Sequence, residues 1–371
     1  MDFVPLLQKL IAIDSTSSRS NVPVIDLLEG LLQPLGFATR RLEWRDENGV
    51  PKANLVCRRG PETPGGLALM GHTDCVPFDP EWSEALSGVV RDGRVCGRGS
   101  ADTKGFIAAA VVVAARTEAM PKPLHLLFTS DEEVGCTGAK LLFREGLVRP
   151  RYAIVGEPTG LVPVRAHKGY CAVDVTIEGR EGHSAFPELG VSAIRAAGRL
   201  LAEIEQIEEQ LREETSPSFS PPFTTLNIGL IQGGKARNIV PGQCTFSLEW
   251  RPIPEQDPER TLCLFDEAAE RVAASCGPGL SVRRTPLRLD EAAMTPPEAE
   301  LVQFLEAESG QSSRAIAFGT ELPEVTAMGA EGCVFGPGDI REAHRTGESV
   351  EIAEIGRCVE ILERAVAHFC A

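Results

Sequence analysis

The sequence predicts an α/β protein with a mixed, mostly parallel sheet flanked by helices and with an inserted, smaller α+β domain. Short apolar segments at Leu67–Met70, Leu124–Phe128 and Tyr152–Val155 alternate with helical stretches, which is typical of a mostly parallel sheet. From about Ala166 the pattern changes to alternating strands and long amphipathic helices. A chain of 371 residues also exceeds one ordinary core, so we expect two domains.

The composition excludes several classes of protein. Hydrophobic residues make up 43% of the chain and charged residues 24%, as in water-soluble globular proteins. The formal net charge of -16 argues against a nucleic-acid partner, because phosphate binding relies on excess Lys and Arg. No segment approaches the roughly 20 apolar residues of a membrane span. The eleven cysteines are dispersed, which favours reduced thiols in the cytoplasm.

The first predicted elements lead to the first strand of the parallel sheet. The N-terminus resembles an amphipathic helix rather than a signal peptide, since its apolar residues recur at helical spacing. A second helix is expected at Val24–Leu32, with Pro23 in its first position, and a strand at Ala53–Cys57. The strand at Leu67–Met70 then ends in Gly71-His72-Thr73-Asp74.

The His72-x-Asp74 pair predicts an oriented imidazole. Residues two apart in an extended chain lie on the same side, so the carboxylate of Asp74 can reach the ring of His72. A metal-ligating histidine usually donates its second N–H to such a partner. Taken alone, the pair could equally be a surface turn after a strand.

The position of Asp102 has two possible interpretations. It stands just before the apolar segment Phe106–Ala115, which predicts a buried helix, so it could cap that helix. It could also be a ligand. A phosphate loop at Gly97 and Gly99 is disfavoured, because these glycines do not follow a clear strand in a βαβ unit.

More carboxylates follow the next two strands. Asp131-Glu132-Glu133 comes soon after Leu124–Phe128, and Glu157 comes soon after Tyr152–Val155. Ligands of open α/β sheets bind outside the carboxyl ends of the strands, so these groups should share one edge with His72. A late glycine-rich loop presents His344, which by itself could be an ordinary surface histidine.

Together these positions predict a metal centre. Two imidazoles and three carboxylates suit a pair of divalent ions such as zinc or cobalt, with one carboxylate bridging them. The predicted ligands are His72, Asp102, Glu133, Glu157 and His344. The side chains of the neighbours Glu132 and Glu133 can diverge, so that one binds metal while the other faces water and substrate. Exclusion of water would raise the pKa of Glu132 from about 4.3 and suit it to general acid/base catalysis.

The middle of the chain predicts a ferredoxin-like domain. Its expected elements follow the order β-α-β-β-α-β. They are Tyr170–Ile177, Val191–Glu213, Thr225–Ile231, Cys244–Trp250, Pro258–Ser275 and Leu280–Leu287. We therefore expect a catalytic domain of residues 1–165 and 289–371 and an inserted domain of residues 166–288. The α/β character resumes with helices at Glu298–Ser309 and Ile352–Phe369.

The order of motifs resembles that of the M20 family of metallopeptidases and deacylases over essentially the whole chain. The motifs that carry the resemblance are Gly71–Asp74, Gly97–Gly105, Asp131–Glu133, Gly156–Thr159, Gly182–Ala185 and Gly336 to His344. The resemblance implies a zinc-peptidase-like catalytic domain and an inserted domain that acts as a lid and forms a homodimer. It also implies a cis peptide after Asp102.

The resemblance further implies a role for each site residue. His72 and Glu157 would hold one metal ion, Glu133 and His344 the other, and Asp102 would bridge them. Glu132 would be the general acid/base that works with a metal-bound water, and Asp74 would orient His72. His183 would reach the active site of the partner subunit and stabilise the oxyanion, unless it is simply a turn histidine after a strand.

Family members hydrolyse amide bonds next to an amino-acid carboxylate. Within the family the chain is most similar to those that convert N2-acetyl-L-ornithine to L-ornithine and acetate in arginine biosynthesis. Arg251 and Asn238 are candidates for the substrate carboxylate, and Glu321 for a substrate amine; each could instead have an ordinary structural role. Alternative substrates are N-succinyl-diaminopimelate, N-acetylcitrulline and dipeptides, and a non-catalytic metal-binding scaffold is the alternative from another class.

Overall fold

Helices and strands alternate along the chain in the computed structural model, which describes residues 1–118 and 120–371. The helices are α1 (Phe3–Ile11), α2 (Val22–Leu32), α3 (Gly105–Arg116), α4 (Thr137–Glu145), α5 (Ala193–Leu211), α6 (Pro258–Cys276), α7 (Glu300–Ser309), α8 (Leu322–Ala327) and α9 (Ile352–Phe369). The strands are β1 (Ala38–Arg45), β2 (Pro51–Arg59), β3 (Leu67–His72), β4 (Val89–Arg91), β5 (Arg94–Cys96), β6 (Leu124–Thr129), β7 (Tyr152–Val155), β8 (Val164–His167), β9 (Tyr170–Glu178), β10 (Gly182–His183), β11 (Thr225–Gly233), β12 (Ile239–Val240), β13 (Gln243–Arg251), β14 (Ser281–Asp290), β15 (Ala293–Met294), β16 (Arg314–Ile316), β17 (Glu331–Val334) and β18 (Ser349–Glu351). Within the described residues, no helix is both long and apolar enough to cross a membrane.

Local sequence explains where several helices begin. Asp2, Ser192 and Asp257 precede α1, α5 and α6, and each side chain accepts a hydrogen bond from a backbone N–H of the first turn. Such caps satisfy donors that have no partner within the helix. Pro23 lies in the first turn of α2, where its missing N–H costs no hydrogen bond.

The chain divides into two compact units. Unit 1 is Met1–Ala166, Thr295–Arg314 and Thr320–Ala371, and unit 2 is His167–Met294 with Ala315–Gly319. Unit 2 extends beyond the predicted limit of residue 288 for two reasons. Strand β14 continues to Asp290 and pairs with β9 as far as Tyr170, and the backbone N–H of Lys168 donates to the carbonyl of Ile316 at 3.3 Å.

The main sheet of unit 1 has parallel strands at its centre. Its strand order is β1-β2-β6-β3-β7-β17-β8. Strands β6, β3, β7 and β17 pair in parallel, whereas β1, β2 and β8 pair antiparallel. The carboxyl ends of the four parallel strands therefore meet at one edge, as the sequence predicts.

Helix α3 packs beneath that edge. Its residues from Gly105 to Ala114 are buried on all sides of the helix, consistent with a helix inside the core. The ring of Phe106 lies against glycines at the ends of three strands: a Cβ added at Gly71, Gly156 or Gly336 would stand 3.4, 2.0 or 3.3 Å from a ring carbon. Glycine at these positions lets the helix approach the edge that carries the polar residues.

Unit 2 has the predicted ferredoxin-like order. The strand order is β11-β13-β9-β14, and neighbouring strands are antiparallel. Helices α5 and α6 cover a core that includes Leu200, Ile204, Trp250 and Phe265. Strand β11 lies at one end of this order, and its register with β13 shifts between Ile228 and Leu230.

Candidate metal centre and active site

The edge of the parallel sheet presents the predicted ligands of unit 1. His72 is the last residue of β3 and is 1% exposed. Glu132 and Glu133 follow β6, and Glu157 follows β7. His344 lies in the loop after β17 with its side chain 50% exposed. Parallel pairing thus brings residues from four separate stretches of the chain to one edge. Asp102, which precedes α3, adds a fifth stretch.

Asp102 lies between the two histidines. Its Oδ1 is 3.0 Å from Nε2 of His72, and its Oδ2 is 3.0 Å from Nε2 of His344. Each carboxylate oxygen therefore faces a different imidazole. This is the geometry of a carboxylate that can bridge two cations.

The remaining carboxylates fall one on each side of Asp102. Oε1 of Glu133 is 3.1 Å from Nε2 of His344, and Oε1 of Glu157 is 3.9 Å from Nε2 of His72. Donor atoms of His72, Asp102 and Glu133 all lie within 4.8 Å of one another. His344 is at the surface, yet its ring nitrogen points to two carboxylates, which a plain surface histidine would not do.

The structure distinguishes between the two interpretations of Asp102, as a cap of helix α3 and as a residue that faces the histidines. The residue before α3 is Lys104, and Asp102 makes no capping bond to the helix because its carboxylate faces the histidines. The Asp102–Thr103 peptide is cis, as predicted. A buried carboxylate that the sequence did not reveal holds this segment: Oε1 of Glu348 accepts hydrogen bonds from the N–H groups of Ala101 and Asp102 at 3.0 and 3.2 Å.

Asp74 lies next to His72 and faces its ring with both its backbone carbonyl and its carboxylate. Nδ1 of His72 lies 3.0 Å from the backbone carbonyl of Asp74, whereas the nearest carboxylate oxygen is 3.6 Å away. The carbonyl therefore orients the ring. The carboxylate also accepts hydrogen bonds from the backbone N–H groups of Glu132 and Glu133 at 3.2 and 3.4 Å.

The pKa values of the cluster indicate a shortage of positive charge. Burial, with the nearby Asp102 carboxylate, raises the pKa of Glu157 well above its ordinary value and also raises that of Glu133. Hydrogen bonds to Asp102 and Glu133 raise the pKa of His344 to about 10. Protons and metal ions compete for the same lone pairs, and the oxygen and nitrogen donors gathered around Asp102 fit divalent cations.

Glu132 and Glu133 point to different partners. Oε1 of Glu133 meets His344, whereas Oε1 of Glu132 lies 3.7 Å from the thiol of Cys136. Burial is the main reason that the pKa of Glu132 is raised well above its ordinary value, and the Glu133 and Glu321 carboxylates add to it. A buried carboxyl group that readily holds a proton suits acid/base chemistry.

Glu321 is a further buried carboxyl group of unit 1. It is 1% exposed, and neither carboxylate oxygen makes a hydrogen bond of normal geometry within the described part of the chain, although the Thr129 hydroxyl is close to it. Burial raises its pKa to about 8. Such a group needs a cationic partner or a proton.

The other predicted residues lie in unit 2. His183 is exposed on β10, and its Nδ1 accepts a hydrogen bond from the N–H of Ala185 at 3.0 Å, so the neutral ring carries its proton on Nε2. Asn238 is close by, since its carbonyl accepts from the N–H of Ser184 at 3.1 Å. The Arg251 guanidinium stacks 3.6 Å from the ring centre of Tyr170 and pairs with Glu249 at 2.9 Å.

Comparison with known proteins agrees with the motifs. Residues 165–275 match the M20 peptidase dimerisation domain. An acetylornithine deacetylase from Myxococcus xanthus is 49% identical over 98% of this chain and 96% of its own length. One from Proteus mirabilis is 34% identical over 99% of this chain and 97% of its own length.

Solved structures share the fold. A tripeptidase from Staphylococcus aureus is similar at a TM-score of 0.77 with 20% identity, over 98% of this chain and 96% of that one. An M20 family metallo-carboxypeptidase from Sulfolobus solfataricus has a TM-score of 0.76 with 16% identity, over 99% of both chains.

Proposed function

The chain belongs to the M20 family of metallopeptidases and deacylases, and from this premise we propose that it hydrolyses N2-acetyl-L-ornithine to L-ornithine and acetate. The observation that carries the proposal is the placement of Asp102 between His72 and His344, with Glu132 buried beside them. The near full-length similarity to acetylornithine deacetylases supports the choice of substrate.

The residues of unit 1 fit two divalent ions, for which we propose zinc or cobalt. His72, Glu157 and one oxygen of Asp102 would hold the first ion, and His344, Glu133 and the other oxygen would hold the second. When bound, such ions supply Lewis acidity, which lowers the pKa of a water molecule and polarises an amide carbonyl.

Glu132 moves the proton. It takes a proton from the water molecule that attacks the acyl carbon, and it delivers that proton to the nitrogen as the C–N bond breaks. The second proton of that water molecule also passes to the nitrogen, so the products are a carboxylate and an ammonium group, and atoms and charge balance. The raised pKa of Glu132, caused mainly by burial, supports this role, because a carboxyl group that holds a proton more readily is better suited to accept and then donate one.

For substrate recognition we propose side chains that the sequence already singled out. The buried carboxylate of Glu321 would bind the side-chain ammonium of ornithine. The planar guanidinium of Arg251 suits the substrate carboxylate, with Asn238 as a second donor. The proton on Nε2 of His183 supports a hydrogen-bond donor role toward the developing oxyanion.

We also propose a homodimer formed through unit 2, with His183 acting at the partner's site. The match to a dimerisation domain supports it. So does strand β11, which lies at the edge of its sheet and exposes Leu230 by 74% and Ile231 by 55%. An apolar edge strand is a ready template for pairing with a second chain. The cysteines of the described residues are present as thiols, which supports a reducing compartment such as the cytoplasm.

The function is tested on purified protein that is stripped with a chelator and reloaded with Zn²⁺ or Co²⁺. Amine release is measured on N2-acetyl-L-ornithine, N-acetylcitrulline, N-succinyl-diaminopimelate and a dipeptide. The proposal expects the highest kcat/KM on N2-acetyl-L-ornithine and none without metal. Preference for another substrate would move the chain to a different deacylase activity, and no hydrolysis with two ions bound would favour a non-catalytic scaffold.

A further inference from the structure

Lys52 is a buried cation that contacts the turn of residues 131–133, which contains Glu132. It lies on β2, which pairs with β1 on one side and β6 on the other, and its side chain is fully buried. Its Nζ donates to Oδ1 of Asp131 at 2.6 Å and to the carbonyl of Ser17 at 2.5 Å. Burying an ammonium group is costly unless it is paired and hydrogen-bonded. The two acceptors offset the cost of burying Lys52, and the same bonds fix the position of Asp131.

The contacts of Lys52 connect, through Ser17 and Asp74, to the residues that carry the proposed chemistry. The hydroxyl of Ser17 donates to Oδ2 of Asp74 at 2.8 Å. The Asp74 carboxylate accepts from the N–H groups of Glu132 and Glu133. One face of the 131–133 turn is therefore held by Asp74, and its first residue is held by Lys52.

The same strand supports the turn at a second point. Asn54 lies two residues after Lys52, on the same face of β2. Its Oδ1 accepts from the N–H of Ser130 at 3.1 Å, and its Nδ2 donates to the carbonyl of Gly138 at 2.7 Å. The turn needs such support, because Asp131 has a φ of 57°, a backbone conformation that non-glycine residues seldom adopt.

We propose that Lys52 is a positioning residue, whose bond to Asp131 holds the 131–133 turn so that Glu132 faces the substrate while Glu133 faces His344. The inference rests on the proposed function. A misplacement of about 1 Å at the reacting group can cost about 100-fold in rate. Lys52 would thus control turnover without touching substrate or metal.

The test compares Lys52→Met with the double variant Lys52→Met/Asp131→Asn, which removes both charges and keeps a residue suited to positive φ. Arg116→Met, which breaks the exposed Arg116–Glu363 ion pair, is the control for loss of a cation. For each we measure kcat, KM, bound metal and hydrogen exchange of residues 130–137, with α3 as the internal reference.

For Lys52→Met we expect kcat to fall about 100-fold, KM to change less than about twofold, and both ions to remain bound. Exchange should rise in residues 130–137 and not in α3. The double variant should stay slow, and it decides the outcome if the single variant does not fold.

A wild-type kcat in either variant would overturn the inference. So would a kcat that recovers in the double variant, since Lys52 would then only neutralise the charge of Asp131. Failure of the proposed function looks different: the wild type and Arg116→Met would also be inactive on every substrate of the panel.

Discussion

Unit 1 buries charge, whereas unit 2 keeps most of its charge at the surface and exposes apolar residues instead. The buried ionisable side chains around the site of unit 1 include Lys52, His72, Asp74, Arg98, Asp102, Lys104, Asp131, Glu132, Glu157, Glu321 and Glu348. In unit 2 the ion pairs Arg283–Glu178 and Arg271–Glu203 lie at the surface, and Leu230 is 74% exposed.

The difference supports the proposal that unit 1 holds the metal centre. Buried charges destabilise a fold unless they are paired or meet metal ions, so their concentration in unit 1 indicates a site built for cations. An exposed apolar edge strand is hazardous in a monomer, so unit 2 is suited to contact with another chain. Four experiments sharpen or break this comparison, from the largest expected effect to the smallest.

Asp102→Ala should have the largest effect. It removes the carboxylate that faces both histidines, so we expect both ions to be lost and kcat/KM to fall on the order of 10⁴-fold or more. The control Asp174→Ala removes an exposed carboxylate of β9 in unit 2 and should leave both quantities unchanged. Metal analysis and kinetics measure this, and two tightly bound ions in Asp102→Ala would break the comparison.

Leu230→Glu tests the role of unit 2. A buried glutamate opposite its own copy should split the dimer, so light scattering should fall from about twice to once 39.9 kDa. Activity should drop about 100-fold, as expected for loss of one oxyanion donor, His183 of the partner subunit. Leu287→Glu, on the opposite edge strand β14 and 57% exposed, should remain dimeric. An unchanged mass for Leu230→Glu would contradict the proposed interface.

Glu321→Gln should change specificity rather than chemistry. Loss of the carboxylate removes one charge-assisted hydrogen bond, so KM for N2-acetyl-L-ornithine should rise about tenfold or more. KM for N-acetylcitrulline, which has no side-chain ammonium, should stay within about twofold. Equal increases for both substrates would show that Glu321 supports the site instead of binding an amine.

His125 and His167 provide a pH test in which the two units should behave alike. Each is buried, and burial lowers the pKa of each to about 4 from an ordinary value of 6.5. Their neutral forms favour folding fully above pH 6.5. That stability is lost as the pH falls from 6.5 to about 4, because the unfolded chain binds the proton first.

We expect His125→Leu to remove about 2 kcal/mol of the acid-induced loss between pH 7 and pH 5 from unit 1, and His167→Leu to do the same in unit 2. Denaturant unfolding at pH 7 and pH 5 measures the change. If the free energy of unfolding depends on pH equally in the wild type and the variants, the histidines are not the cause of the acid-induced loss.

The sequence was sufficient for residues whose position follows from a strand end. His72, Glu132, Glu133 and Glu157 each follow a short apolar strand, and parallel pairing places such residues at one edge. Asp102 was ambiguous, because a carboxylate before a helix has the same sequence pattern as a cap. Only the backbone direction reveals that it faces the histidines.

Residues that act through distant contacts were missed. Lys52 and Glu348 contact the site across separations of 79 and 246 residues, and no local pattern marks such a pair. A signal was present for Lys52: it shares one face of the buried strand β2 with Asn54, and polar residues there must find buried partners. Asp74 was placed correctly, but which of its oxygens orients His72 depends on the backbone path.

The most direct test of the account is Glu132→Gln, because it separates metal binding from turnover. Glutamine keeps the size of the side chain but cannot accept the proton. We predict that the variant binds the same two ions per chain as the wild type, with an unchanged unfolding midpoint, and that kcat on N2-acetyl-L-ornithine falls on the order of 10⁴-fold. A Glu132→Gln protein that still turns over at the wild-type rate, or that loses its ions, would contradict the assignment.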